Sequence, residues 1–117
     1  MQKFEVIILP LAEEDIKENT DYIFFEKQSP QTALSLLKGF YDVIEKLSIM
    51  PEKYQYDEDE NLAALYIRKC YYNNYKIYFY VNKQKKHVYI LRVLHTLRSA
   101  KKHIKISLPY IKDENMT

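Results

Sequence analysis

A histidine and an arginine stand three residues apart in the segment Leu94–Arg98, at the end of an apolar, β-branched stretch. Imidazole transfers protons near neutral pH, and cations close to it favour the neutral form that can accept a proton. His95 is therefore a candidate for proton transfer from a ribose 2′-hydroxyl, with Lys76 and Arg98 stabilising the charge of the phosphorane that forms. The same histidine fits a role as a hydrogen-bonding residue at a protein interface equally well.

Lysines and tyrosines alternate on both sides of Asn73-Asn74, a pair that favours a two-residue hairpin turn. A turn there places Tyr72 opposite Tyr75, and side-chain alternation then assigns every other residue to a face. One face is predicted to be open, cationic and aromatic: Lys69, Tyr71, Lys76, Tyr78 and Tyr80. The other face is predicted to be apolar, with Arg68 as its one misfit: Cys70, Ile77, Phe79 and Val81.

Such an open face can pair with phosphates and stack on bases, although an ordinary solvated strand has the same composition. The candidates for binding RNA or another target are Lys69, Lys76, Tyr78 and Arg98.

Charge is divided unevenly along the 117 residues, although the formal net charge is only +2. Residues 1–60 carry six lysines against fourteen acids, while residues 61–117 carry twelve lysines and arginines against two acids. No acidic residue lies between Asn61 and Lys112. The basic half predicts a surface that meets an anionic partner.

Composition excludes several classes of protein. One cysteine, Cys70, cannot form an intrachain disulfide, and with three scattered histidines it makes a metal site improbable. One glycine, Gly39, cannot build a phosphate-binding or dinucleotide-binding loop, so we expect no cofactor. Neither a membrane span nor a signal peptide is recognisable, and we expect a cytoplasmic protein with no membrane partner.

The elements that position these residues follow from periodicity. A buried strand is predicted over Phe4–Leu9, a first helix over Leu11–Glu26, and a second helix that begins at Pro30 after an N-cap at Ser29 and ends before Pro51. Three strands follow at 64–72, 75–81 and 87–95, and then a short helix at about Ser99–Ile106. The predicted fold is α+β, βααβββ, with a helical hairpin on one face of a mainly antiparallel sheet.

Two details bear on the site. The acidic run Asp57–Glu60 is interpreted as part of a solvated loop over Glu52–Asn61, the alternative being that it repels misplaced phosphates. Gly39 costs about 1 kcal/mol relative to alanine inside a helix, so we expect it to permit a close contact there.

From about Phe4 to Arg98 the ordered set of features resembles the RelE/ParE superfamily of type II toxin–antitoxin toxins. The segment that carries most of the resemblance is IRKCYYNNYKIYFYVNKQKKHVYILRVLHTLR, with its closing His95-x-x-Arg98. The resemblance implies a microbial-RNase-like fold, growth inhibition, and a cognate antitoxin protein as partner. It predicts one toxin domain at 1–98 and a basic extension at 99–117.

The resemblance also implies two alternative targets. ParE-type members poison DNA gyrase, whereas RelE-type members cleave mRNA on the ribosome as metal-independent endoribonucleases. RelE-like surfaces typically carry an arginine where this chain has Lys76, and lysine lacks the planar fork suited to phosphate. We therefore favour a ParE-like inhibitor of gyrase, with the RelE-like endoribonuclease as the alternative and a non-toxic RNA- or protein-binding module as a third possibility.

Overall fold

The computed structural model describes residues 3–99 and residue 106. Its elements are β1 (Glu5–Ile8), α1 (Pro10–Glu26), α2 (Pro30–Lys46), α3 (Glu60–Ala64), β2 (Ile67–Tyr72), β3 (Tyr75–Asn82), β4 (His87–His95) and α4 (Thr96–Ser99). A single 3₁₀ turn, Pro51–Lys53, connects α2 to the segment before α3. The predicted order of strand, helical hairpin and three-stranded meander is confirmed, and α3 is an addition to it.

The four strands form one sheet in the order β1-β4-β3-β2. β1 is parallel to β4, and the other two pairings are antiparallel. The β2–β3 register is the one that a turn at Asn73-Asn74 predicts, because Tyr72 pairs with Tyr75 and Cys70 with Ile77. Asn73 has a φ of 50°, a left-handed conformation that asparagine adopts more readily than most residues.

The second long helix begins at Pro30, as the sequence predicts, and the first begins at Pro10, one residue before its predicted start. Proline occupies the first position of each, where its missing N–H removes no intrahelical hydrogen bond. The Ser29 side chain caps α2 by accepting a hydrogen bond from the Thr32 N–H at 3.4 Å. The helices pack together as an antiparallel hairpin on one face of the sheet, and the predicted fold class is confirmed.

β4 contains a bulge that changes which side chains reach each face. Tyr78 pairs with Arg92 and Phe79 pairs with Ile90, so Leu91 is an extra residue in the strand. One extra residue reverses the alternation of side chains beyond it. Ile90 and Val93 consequently pack in the same core although three positions separate them.

Helix α1 holds this bulge in place. The buried carboxylate of Asp15 accepts hydrogen bonds from Arg92 Nε at 2.7 Å and Arg92 Nη2 at 2.8 Å. It also accepts a third, at 2.9 Å, from the backbone N–H of Val93. The carboxylate and the guanidinium are each other's hydrogen-bond partners. The ion pair therefore fixes the strand against the helix without leaving a buried charge unpaired.

Both faces of the sheet are covered. On the helix side the core is built around Phe40, Ile44, Leu47, Ile77, Phe79, Ile90 and Val93. A second cluster lies on the other side: Leu9, Ile67, Tyr78, Tyr80, Tyr89, Leu91 and Leu94. Leu62, Leu65 and Ile106 pack against this second cluster. The prediction of an open cationic face is therefore wrong, because α3 and its flanks cover much of that side.

Gly39 permits a close contact between helix and sheet, as its position suggested. A Cβ at Gly39 would lie 1.8 Å from Tyr72 Oη and 2.2 Å from Tyr72 Cζ. The Tyr72 ring also packs edge-on against Phe40, with centroids 5.4 Å apart. Any larger residue at position 39 would have to displace this ring.

The predicted short helix at Ser99–Ile106 and the predicted extension at 99–117 fall largely outside the described residues. Ser99 is the end of α4, and Ile106 packs against the second cluster.

Candidate functional site

Lys76 is the centre of an ion-pair network on the sheet face opposite the helices. Its side chain is only 6% exposed, and its Nζ lies 2.8 Å from Asp57 Oδ2 and 2.9 Å from Glu58 Oε1. The ammonium also lies over the Tyr78 ring, 4.8 Å from its centroid. Burial opposes the charge on Lys76, but the hydrogen bonds that its ammonium donates to Asp57 and Glu58 outweigh this effect, so the pKa of Lys76 lies above its ordinary value.

Lys69 shares one of these carboxylates. Its Nζ is hydrogen-bonded to Glu58 Oε2, so Glu58 joins Lys69 and Lys76. Both lysines lower the pKa of Glu58, Lys69 more strongly, to about 2. The same hydrogen bond raises the pKa of Lys69.

Backbone pairing fixes the acidic run in this position. The Asp57 N–H donates to Ile67 O at 2.8 Å, so the segment continues the sheet beside β2. The Asp59 N–H donates to Asp57 Oδ1 at 2.8 Å, and Asp59 in turn caps α3 by accepting from the Asn61 N–H. Most of the segment 52–61 is exposed, as the interpretation of a solvated loop predicts, but that interpretation fails at Asp57, which is buried against Lys76 and paired with β2 through its backbone. Asp57, Glu58 and Asp59 have structural partners, and the capping pattern of Asp59 was the signal available in the sequence.

His95 lies on the other face of the sheet from Lys76. It pairs with Tyr75, whose ring packs against Phe40 of α2, whereas Lys76 pairs with Leu94. The imidazole contacts the Tyr75 ring edge-on, with centroids 5.4 Å apart. Its Nδ1 accepts a hydrogen bond from the Leu97 N–H at 3.2 Å, which in a neutral ring leaves the proton on Nε2. The sheet therefore separates the imidazole from the Lys69–Lys76 pair.

The remaining candidates are placed as follows. Tyr78 is fully buried beneath Lys76 in the second cluster. Arg98 lies in α4, and its side chain is outside the described part of the structure.

Arg68, the predicted misfit on the apolar face, has its own set of contacts at the edge of the sheet. Its guanidinium lies over the Tyr56 ring, 4.3 Å from the centroid. Nη1 donates to Tyr54 O at 2.6 Å and to Glu52 O at 3.1 Å. Arg68 thus anchors the segment between α2 and α3 rather than entering the core.

Several large apolar side chains are exposed on the helical hairpin: Tyr22, Phe24, Phe25, Leu34 and Tyr41. Side chains of this kind concentrated on one element are typical of a protein–protein interface. Sequence periodicity does not single them out, because a helix that packs on a sheet also requires apolar residues.

In the described residues no group of three or more His, Cys, Asp or Glu side chains could hold a metal ion. No helix in that part of the chain has the length and hydropathy needed to cross a bilayer.

Comparison with known proteins agrees with the fold. Residues 6–100 match the family described as ParE toxin of type II toxin-antitoxin system, parDE. No curated protein matches the chain.

The solved structures that are similar to this chain include two from toxin–antitoxin systems. The chromosomal ParDE toxin–antitoxin system from P. aeruginosa aligns with a TM-score of 0.63 at 16% identity, covering 80% of this chain and 96% of the other. The RelBE2 toxin–antitoxin complex from Mycobacterium tuberculosis aligns with a TM-score of 0.52 at 17% identity, covering 80% and 98%. At these identities the likeness establishes the fold.

Proposed function

The chain belongs to the ParE toxin family, within the RelE/ParE superfamily of type II toxin–antitoxin toxins, and from that premise we propose that it arrests growth by binding DNA gyrase and that a cognate antitoxin neutralises it. It acts in this proposal as an inhibitor without a chemical step. Its site of action would be the cytoplasm, where the target and the antitoxin are both accessible.

One observation carries the preference for binding over catalysis: Lys76 and His95 lie on opposite faces of the sheet. Cleavage of RNA by an imidazole needs a cation close to the same phosphate, since the developing charge and the proton transfer belong to one transition state. Lys76 has instead two carboxylate partners, Asp57 and Glu58. These contacts favour a structural role for Lys76.

The position of the His95 proton supports the same preference. A general base needs an unprotonated nitrogen directed at its substrate. Nδ1 of His95 accepts from the Leu97 N–H, so the nitrogen with the free lone pair is already engaged. A hydrogen-bonding role at a protein interface suits this geometry better than proton abstraction.

The exposed apolar side chains of the helical hairpin are the surface that we assign to protein contacts. Tyr22 and Phe25 lie three positions apart on α1 and are therefore neighbours on its surface. The similar structures from P. aeruginosa and Mycobacterium tuberculosis are a toxin–antitoxin system and a toxin–antitoxin complex, which supports an antitoxin as one partner.

Induction of the chain alone and together with the neighbouring open reading frame tests the proposal. We expect growth arrest with induced DNA damage when the chain is expressed alone, and recovery when the antitoxin is co-expressed. Tyr22→Ala with Phe25→Ala should weaken both effects if these residues contact partners.

The alternative, a RelE-like endoribonuclease, predicts the opposite result in the same experiment. It requires cleavage of ribosome-bound transcripts, lost in His95→Ala, with chromosomal DNA intact. Growth that continues unchanged despite folded, expressed protein would contradict both toxin mechanisms and favour a non-toxic binding module.

A further inference from the structure

Two lysines on the sheet share a single carboxylate in the free chain. Glu58 Oε1 binds Lys76 and Glu58 Oε2 binds Lys69, so the two oxygens of one planar group bridge two ammonium groups. Charge-assisted hydrogen bonds of this type are roughly twice as strong as neutral ones. The arrangement is a two-point binding site for a carboxylate, occupied by a residue of the chain itself.

Asp57 and Glu58 are adjacent in sequence but differ in burial. The Asp57 side chain is 2% exposed, pairs with Lys76 and accepts the Asp59 N–H. The Glu58 side chain is 60% exposed, and its carboxylate accepts hydrogen bonds from the two lysines. Asp57 is therefore a fixed counter-ion, whereas Glu58 can rotate into solvent without opening the core.

We propose that Lys69 and Lys76 form a binding site for an aspartate or glutamate side chain of a partner peptide, and that Glu58 occupies this site until the partner displaces it. The exchange replaces one carboxylate with another, so neither lysine is left without a counter-ion during it. The proposed function enters only as the source of the peptide, which we assign to an acidic segment of the antitoxin.

Charge favours a carboxylate as the occupant. With Glu58 rotated away, Lys69 and Lys76 carry two positive charges and Asp57 one negative charge, a net charge of +1. A single carboxylate neutralises this charge and reproduces the bridging geometry of Glu58. A phosphate monoester, with up to two charges, would face repulsion from Asp57, whose Oδ2 is 2.8 Å from the Lys76 ammonium.

The neighbourhood of the two lysines suits a peptide. The exposed Tyr71 side chain lies on the same sheet face, two positions from Lys69 and paired with Lys76 across β2 and β3. Tyrosine at an interface offers apolar area together with a hydrogen-bonding group. A peptide that supplies a carboxylate to Lys69 and Lys76 can therefore pack its neighbouring side chains on Tyr71.

Fluorescence anisotropy with a labelled oligoglutamate peptide tests this site on the full chain. Glu58→Gln should bind the peptide about tenfold more tightly than the wild type, because the competing carboxylate is gone. Adding Lys69→Met to Glu58→Gln should abolish the gain. Lys69→Met alone should also weaken binding, which keeps the test valid if Glu58→Gln folds poorly.

Glu45→Gln is the matched control, because it removes one exposed acid of α2 and changes the net charge equally. Equal gains for Glu45→Gln and Glu58→Gln would overturn the site, since net charge alone would explain them. A labelled oligothymidine run in parallel separates the ligand classes. If Glu58→Gln improves its binding as much as that of oligoglutamate, the site accepts phosphodiesters and the assignment to a peptide is wrong. Gyrase inhibition is measured separately, so either proposal can fail without the other.

Discussion

Lys76 and Asp57 form an ion pair of 2.8 Å in which the two side chains are 6% and 2% exposed. The pair joins β3 to a segment that precedes it by nineteen positions. That segment in turn places α3 over the second hydrophobic cluster. Lys76, which the sequence suggests as a target-binding residue, therefore stabilises the fold.

We predict that Lys76→Met destabilises the protein by about 3 kcal/mol, since it leaves Asp57 as an uncompensated buried charge. Lys76→Met combined with Asp57→Asn should cost less than Lys76→Met alone. Urea unfolding measures both. Lys17→Met serves as the control, because the Lys17–Asp21 pair is exposed and screened by solvent, so its loss should have little effect on stability. A similar small effect at Lys76 would contradict the structural role.

Acid should weaken the contribution of Glu58 to the free energy of unfolding. Its pKa is lowered from 4.5 to about 2 in the folded chain, so the folded state binds fewer protons than the unfolded state. The stabilisation is complete above about pH 4.5 and disappears as the pH falls towards 2. Because the carboxylate is largely exposed, we expect less than about 1 kcal/mol.

The free energies of unfolding of wild type and Glu58→Gln, measured between pH 7 and pH 2.5, test the direction of this pH dependence. The excess stability of the wild type should shrink steadily below pH 4.5. A difference that stays constant over this range would show that Glu58 does not stabilise the fold through its charge.

Gly39→Ala should destabilise the protein, although helix propensity alone predicts a gain of about 1 kcal/mol. The new Cβ would overlap the Tyr72 ring, and overpacking of this kind costs about 1–3 kcal/mol. In a Tyr72→Leu background the obstruction is smaller, so Gly39→Ala should there become neutral or stabilising. Thermal unfolding of the four proteins gives the result, and a stabilised single variant would contradict the contact.

Cys70 should resist thiol reagents in the folded chain. Burial raises its pKa to about 12, so almost no thiolate exists at pH 8. Labelling with a disulfide reagent should be slow in buffer and rapid in denaturant. Rapid labelling without denaturant would show that the β2 edge opens readily.

The sequence predicts the hairpin well because its information is local. Asn73-Asn74 determines the turn, the turn determines the register, and the register assigns Cys70 and Ile77 to the helix side. The start of α2 is local in the same sense, since Ser29 and Pro30 lie beside the end that they define.

The burial of Lys76 could not be predicted in this way, because its partners Asp57 and Glu58 precede it by eighteen or more positions. An acidic run next to a predicted strand is ordinarily solvated, and only tertiary pairing with β2 brings Asp57 into a buried contact with Lys76 while its neighbours in the run stay exposed. The position of the partner, rather than the residue type, decides whether a lysine is exposed.

The face that His95 occupies depends on one extra residue. Without the bulge at Leu91, strict alternation from Val88 and Ile90 would place His95 on the face of Lys76. Asp15 stabilises the bulge from α1, seventy-eight positions away from Val93. The alternation of residues along β4 does not reveal this contact. The sequence pattern of the strand therefore could not show that His95 lies away from the basic face.

Supercoiling of relaxed plasmid by purified DNA gyrase, with and without the purified chain, tests the proposed mechanism most directly. Inhibition by binding predicts that the wild-type protein blocks supercoiling and that His95→Ala blocks it as well, since no proton transfer is involved. Uninhibited gyrase, together with cleavage of ribosome-bound mRNA by the wild type but not by His95→Ala, would contradict it.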